Sequence, residues 1–491
     1  MNNLLPIFVI LPLITGIFTY LLRGKLKIQE NLSFFSLFIN FILASLLFFE
    51  TMKGSIFTHQ MGLWPFPYGI ILIADRLTST MLCISSSIVG ICVLYSKSYF
   101  SQKDNLKIFQ PLIHFLLMGI QGCFLTGDLF NLFVFFEVLL ISTYALLACY
   151  HSLEQLEMSF KFMCINLVAS ALFLAGISFI YAQVGTVNMA DLSLKLTALD
   201  YNPMIIITAL VFVLVFSVKG AIFPMHLWLP SAHSTAPTPV SAILAGVLVK
   251  VGIYAIIRCQ TLIFIKQFFY FQNALLFFAV FTIFIGAFGT LPQKNLKRIL
   301  AYSTINQLGF ISLGIAFLSV PALTATIFFI VVHSYLKSSV LLAAGINYKI
   351  TGTENLDEMG GMMKKAPFLS ILMLISFLSL AGIPPLNGFF AKIFIFKAGF
   401  SSGFTLTTSL VLFLGIISLF YNFKTYQRMA WGEAKSNLKK APALMYICVT
   451  CLTLFAVVFG IGASWLYDWA SMVSEQISSP QLYINAMKSL I

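Results

Sequence analysis

Five ionisable side chains stand in stretches that are otherwise almost wholly apolar: Glu137, Lys219, Lys250, Lys337 and Lys392. A histidine, His333, precedes Lys337 by four residues, so on a helix the two share one face. Carrying a charge to mid-bilayer costs at least about 2.5–3.5 kcal/mol on insertion scales, so such residues mark function more often than decoration. The chemistry they offer is proton transfer. Burial disfavours the charged form of a lysine and a neighbouring carboxylate favours it, so a lysine whose partner moves or is protonated can release a proton near neutral pH. Arginine suits this role poorly, because its pKa is too high. Glu137 beside Lys219 would be the switch, Lys250 and the His333/Lys337 pair would relay, and Lys392 would gate the far side. Two blander readings stand beside these: a structural ion pair at Glu137, and a Lys250 that snorkels toward the Arg258 end of its span.

Long apolar runs must position these groups. They lie near 3–22, 31–49, 69–95, 108–126, 128–150, 162–183 and 203–230, then 239–257, 273–291, 300–318, 320–347, 367–400, 404–423 and 444–468. About fourteen membrane helices result, and the 491 residues accommodate them. Glu137 falls about nine residues into the fifth span, roughly 13 Å deep at 1.5 Å per residue. Lys219 precedes Ala221-Ile222-Phe223-Pro224, and Lys392 follows Gly382-Ile383-Pro384-Pro385-Leu386-Asn387-Gly388. Proline removes a backbone donor, so the seventh and twelfth spans should break beside their lysines. Paired broken helices are the mark of repeated halves with midplane ion sites. A five-helix repeat fits, with spans four to eight in one copy and nine to thirteen in the other. The expected parts are residues 1–107 (three helices), 108–258 (first repeat), 273–428 (second repeat) and 444–491 (last span and a mildly amphipathic tail along the membrane surface).

Composition agrees and excludes much else. Hydrophobic residues make up 59% and charged ones 9%, with mean hydropathy +0.96, against roughly a quarter charged in soluble domains. The runs are too long and unbroken for alternating barrel strands. The net charge of +13 sits in short loops, which fits membrane orientation better than nucleic-acid binding. Eighteen Lys and Arg lie in loops after odd-numbered spans and five after even-numbered ones, which places odd loops in the cytoplasm and both termini outside. Met1-Asn2-Asn3 lacks the basic start of a cleavable signal, so the first span is expected to be retained.

The eight cysteines include one C-x-x-C pair, Cys448 and Cys451, with no further ligand nearby, so they read as ordinary buried cysteines. No nucleotide-, flavin- or haem-binding pattern appears, so no cofactor is expected. Asp75 with Arg76 reads as an interfacial pair or helix cap, and Asp128 as a cap for the fifth span. His226 and His233 lie after the first break without companions for a metal site. His59, His114 and His151 read as structural or interfacial.

At these residues the chain resembles the antiporter-like subunits shared by respiratory complex I, membrane-bound hydrogenases and multisubunit Mrp-type cation/proton antiporters. The motifs are TGDLFNLFVFFEVLLISTY from Thr126, KGAIFPMHLWLPSAHSTAPTPVSAILAGVLVKVGIY from Lys219, NLKRILAYSTINQLGF from Asn295, HSYLKSSVLLAAG from His333 and AGIPPLNGFFAK from Ala381. The resemblance implies inverted five-helix repeats and a proton path through Glu137, Lys219, Lys250, His333, Lys337 and Lys392. Chain length, lysine at 392 and VGTVNMADLS from Val184 look most like the D-type subunits of Mrp antiporters. The run from His226 to Ser241 looks closer to the complex I and hydrogenase versions. The implied function is proton translocation within a multisubunit Na+/H+ antiporter of a bacterial inner membrane. The second reading is a non-redox, proton-pumping subunit of a complex I-like or hydrogenase assembly. Either way the implied partners are other membrane subunits, protons, Na+ and lipid, and no nucleic acid. Few intramembrane carboxylates are available to hold Na+, which leaves cation binding to a partner subunit.

Overall fold

A computed structural model describes residues 1–101, 103–149, 152–199, 202–433 and 439–489; His151 lies outside them. Helices α1 (Ile7–Leu21) and α2 (Leu26–Met52) open the chain, followed by an antiparallel hairpin of β1 (Phe57–Gln60) and β2 (Ile71–Ala74). The hairpin was not legible as strand, being short and lodged between two spans. Then come α3 (Arg76–Tyr99), α4 (Lys103–Leu125), α5 (Leu129–Leu147), α6 (Leu153–Val184), α7 (Met189–Ala198) and α8 (Pro203–Gly220). After α9 (Trp228–Thr235), α10 (Thr238–Ile243) joins α11 (Val249–Arg258) through a π turn at Leu244–Leu248. The second half holds α12 (Gln272–Thr290), α13 (Leu296–Ala316), α14 (Val320–Thr351), α15 (Met362–Lys365), α16 (Pro367–Ala381), α17 (Asn387–Ser401) and α18 (Thr405–Ala430). The chain closes with α19 (Ala443–Ile461), α20 (Ala463–Ile477) and α21 (Pro480–Lys488).

Among the described residues, 13 helices are long and apolar enough to cross a membrane. With α16 and α17 as the halves of one further span, they give the expected fourteen. Helices suit a bilayer because they satisfy their own backbone hydrogen bonds, and their ends take help from side chains. Asp75, Asp128, Ser152, Asn188, Asn202 and Asn295 each accept from a backbone N–H at a helix start.

Burial orders the bundle. The segments Thr238–Ile263 and Val320–Thr351 are enclosed along their apolar windows, whereas α1, α2, α12, α18 and α19 bury only a third or so and turn the rest outward. Glycine allows the closest approach. At Gly252 a Cβ would stand 2.5 Å from the Gly220 nitrogen, so α11 and α8 touch backbone to backbone.

Both expected breaks occur. Helix α8 stops at Gly220, Ala221 turns left-handed at φ 51, and α9 resumes at Trp228, so the seventh span is shorter than the 203–230 run. Trp228 Nε1 donates to the Val218 carbonyl at 2.8 Å, and Thr282 accepts from the Phe223 N–H at 2.9 Å. Helix α16 stops at Ala381, with Gly382 at φ 87. A paired backbone clasp also occurs twice. Asp128 bridges Asn188, and Asn295 bridges Asn355, with the same sequence separation in each.

The tail departs from expectation. The last span ends at Ile461 rather than near 468, and α20 and α21 fold against the protein, burying Leu466, Trp469, Val473, Tyr483 and Met487. Cys451 is exposed on α19, unlike its buried neighbour Cys448.

Candidate proton-transfer site

The six predicted residues sit on helices that adjoin one another in sequence across the bundle: α5, α6, α8, α11, α14, α17 and α18. At one end Glu137, half-buried on α5, accepts a hydrogen bond from Ser170 of α6. Lys219, buried in the last turn of α8, donates from Nζ to Asn166 Oδ1 at 2.8 Å and stands 5.7 Å from the Phe136 ring centroid. Glu137 is in Coulombic range of Lys219 but forms no ion pair with it. The expected switch is therefore a pair of separately held charges on neighbouring helices, with Asn166 and Ser170 of α6 between them.

Lys250 is fully buried and donates to the Ala245 carbonyl inside the π turn. It does not snorkel toward Arg258. π turns inside helices frequently mark functional positions, because the wide turn redirects backbone carbonyls. His333 and Lys337 share one face of α14 as expected, but they are not bonded to each other. Lys337 donates to Ser303 Oγ at 2.8 Å and to the Leu300 carbonyl at 3.2 Å. Both ring nitrogens of His333 are buried without a hydrogen-bond partner. Lys250 and Lys337 are both in electrostatic reach of its ring.

Lys392 completes the row. It reaches back across the break and donates to the Leu380 and Ala381 carbonyls at 3.0 and 2.9 Å, and to Ser418 Oγ at 2.9 Å. A cation on the terminal carbonyls of α16 satisfies groups that the helix end leaves open and complements its dipole. Lys337 is in electrostatic reach of Lys392.

Sequence reasoning set His233 aside, yet it belongs here. It is fully buried after the first break, with neither ring nitrogen bonded, in reach of both Lys250 and Lys337. The signal was its place in the Pro-rich segment that packs α9 against α13. His226, with an unpartnered Nδ1, stacks on Phe223 instead.

Three charges taken as interfacial or loop residues are structural. Asp75 caps α3 through the Thr78 N–H at 2.9 Å and pairs with buried Arg258 at 2.6 Å, not with Arg76. Arg76 instead donates to the Thr51, Met52 and Met472 carbonyls. Lys297, counted among loop cations, is buried and pairs with Glu354 at 2.7 Å. Asp128 caps α5, as expected, by accepting from the Asn131 N–H at 2.8 Å.

Residues 126–418 match the family described as "NADH:quinone oxidoreductase/Mrp antiporter, TM". The chain is 36% identical over 99% of both lengths to a protein of Alkalihalophilus pseudofirmus that is named as the D-type subunit of a Na(+)/H(+) antiporter. It is 34% identical, again over 99% of both, to the Bacillus subtilis protein of the same name. Its fold superposes on a chain from the structure of the Mrp complex of Dietzia sp. DQ12-45-1b with a TM-score of 0.93, at 24% identity and 99% coverage of each.

Proposed function

The chain belongs to the NADH:quinone oxidoreductase/Mrp antiporter family, and on that premise we propose that it is the proton-translocating D-type subunit of a multisubunit Na+/H+ antiporter. The observation that carries this is the full-length likeness to two chains named for that role. It works as one member of a membrane complex, in a bacterial cell membrane, with the lysine-rich odd-numbered loops in the cytoplasm. A complex I-like assembly is the weaker reading, because the relatives that match end to end bear antiporter names.

Protons pass along Glu137, Lys219, Lys250, His333, Lys337 and Lys392. Each cation is held by neutral acceptors, Asn166, Ser303, Ser418 or backbone carbonyls, so none is locked in a permanent ion pair. Such a lysine can give up its proton without stranding a carboxylate, which a buried salt bridge would not permit cheaply. Transfer from one lysine to the next discharges the first and charges the second, and His333 and His233 accept between Lys250 and Lys337. The two clasps and the two lysine-bearing breaks support a division into two five-helix repeats.

The experiment is Na+-dependent proton movement in everted vesicles holding the chain with its native partners and no electron donor. Dequenching of a pH dye on adding Na+, lost in Lys219→Ala, supports the reading. Acidification only on adding a reductant, with no response to Na+, replaces it with the redox-driven one.

A further inference from the structure

A second column of buried polar side chains runs through the amino-terminal bundle, apart from the lysine row. On α2 it comprises Gln29, Ser33 and Asn40, and on α4 Gln110, His114 and Gln121, all buried. Helix spacing of four and seven residues keeps each set on one face. The helices run parallel and in step. Ser33 Oγ meets His114 Nε2 at 2.8 Å, and Asn40 Nδ2 donates to Gln121 Oε1 at 3.0 Å, each across the same separation of 81 residues. Gln29 Nε2 donates to the Lys107 carbonyl at 2.8 Å at the lower end. Ser86 of α3 closes the upper end by donating to Asn40 Oδ1 at 2.6 Å.

Interhelical hydrogen bonds of this kind also act as membrane glue, and the Asn40–Gln121–Ser86 triad is fully explained that way. The lower half is not. Gln29 Oε1, both side-chain polar atoms of Gln110 and His114 Nδ1 are buried without any partner. Four orphaned atoms within about two turns of α4 are too many for a settled interface, since buried polar groups are almost always hydrogen-bonded. Buried waters typically make about three hydrogen bonds each, so one or two would satisfy all four. A bare Na+ fits worse, because the column offers amides, hydroxyls and an imidazole but no carboxylate.

We propose that the α2–α4 interface binds a short file of water and forms a proton half-channel, with His114 as its exchanging group, from the Gln29 end to the Asn40–Gln121–Ser86 triad. From Gln29 to Asn40 the rise along α2 is about 16 Å, half the hydrocarbon thickness of about 30 Å. The lower end adjoins the loop of Arg23, Lys25 and Lys27, the side assigned to the cytoplasm. The transport half of this inference rests on the proton-translocating function; the water half does not.

Radiolytic hydroxyl footprinting of the assembled complex tests the water, because radicals formed from bound water mark adjacent side chains. Oxidation of buried His114 at the rate of exposed residues is expected, with Phe212, buried among aromatic rings, as the silent control. A His114 as silent as Phe212 overturns the proposal. For transport, Gln110→Leu combined with His114→Phe should slow Na+-driven proton movement roughly tenfold or more, while His114→Gln, which keeps a donor and an acceptor, retains most of it. Full transport in the double variant, in preparations where Lys219→Ala abolishes it, overturns the half-channel and leaves the proton row intact. If the double variant does not assemble, the footprint of the unaltered protein decides.

Discussion

Lys219 gives its hydrogen bond to Asn166 at 2.8 Å, and Glu137, the carboxylate that could have taken it, is held by Ser170 on the same α6 helix. Helix α6 therefore holds both charges apart while leaving them in mutual range. The arrangement sets Lys219 between two states, resting on a neutral amide or drawn toward a carboxylate.

Asn166→Leu removes the neutral acceptor without adding charge. Proton movement should fall by about one to two orders of magnitude, the scale of a lost hydrogen bond to a charged group at about 1.5–3 kcal/mol. Asn166→Asp should be at least as damaging, because an ion pair would hold the proton. Vesicle assays on assembled complex read both, and wild-type rates in both would remove Asn166 from the path.

The Asp75–Arg258 pair is buried, so taking away one partner strands the other. Asp75→Ala should cost about 3–5 kcal/mol, seen as a lower unfolding temperature in detergent. Replacing both, with Asp75→Leu and Arg258→Met, should recover most of the loss, since an apolar pair of similar volume is often neutral. A single variant as stable as the parent would mean that the pair contributes nothing.

Gly252→Val should separate α8 from α11, because even a Cβ there would meet the Gly220 nitrogen at 2.5 Å and the Phe216 carbonyl at 2.7 Å. Overpacking of this kind costs about 1–3 kcal/mol, and here it also pushes Lys219 away from Lys250. Transport should drop more than complex yield does. Parallel losses would assign Gly252 to folding alone.

Asp357 lies in the loop before α15, outside the membrane segments, and is bonded by Lys294 at 2.9 Å and by Arg428. The hydrogen bond from Lys294, followed by that from Arg428, holds its carboxyl below the usual value of 3.8. Its contribution is therefore present above pH 3.8 and lost as pH falls through the lower folded value. Amide exchange in the 352–361 loop should be flat across neutral pH and quicken only in strong acid, and Asp357→Asn should show the fast rate throughout. Quickening already near pH 6 would contradict this.

The spans, both breaks and the six charged or imidazole positions of the candidate row could be picked out in advance, because hydropathy, proline and a charge in an apolar run are properties of the local sequence. What escaped depends on distant packing. Asp75 reads as a partner for Arg76 until α11 brings Arg258, 183 residues away, against it. His233 and His114 look ordinary until burial shows that their nitrogens lack partners. Glu137 and Lys219 look like a salt bridge because nothing in the sequence predicts that Asn166 and Ser170 come between. The π turn before Lys250 carries no proline or other local mark.

The two last helices have a bearing on how the protein is made. Tyr483 lies with its ring 5.4 Å from the Arg258 guanidinium, Gln476 caps the first turn of α3, and Met487 occupies the space that a side chain at Gly127 would fill. A nascent chain delivers these residues last, so the Asp75–Arg258 pair stays uncovered while everything before it is threaded into the bilayer. Synthesis thus ends with its own proof of completion: a prematurely terminated chain keeps this polar patch open to proteases and chaperones, and only a full-length one hides it.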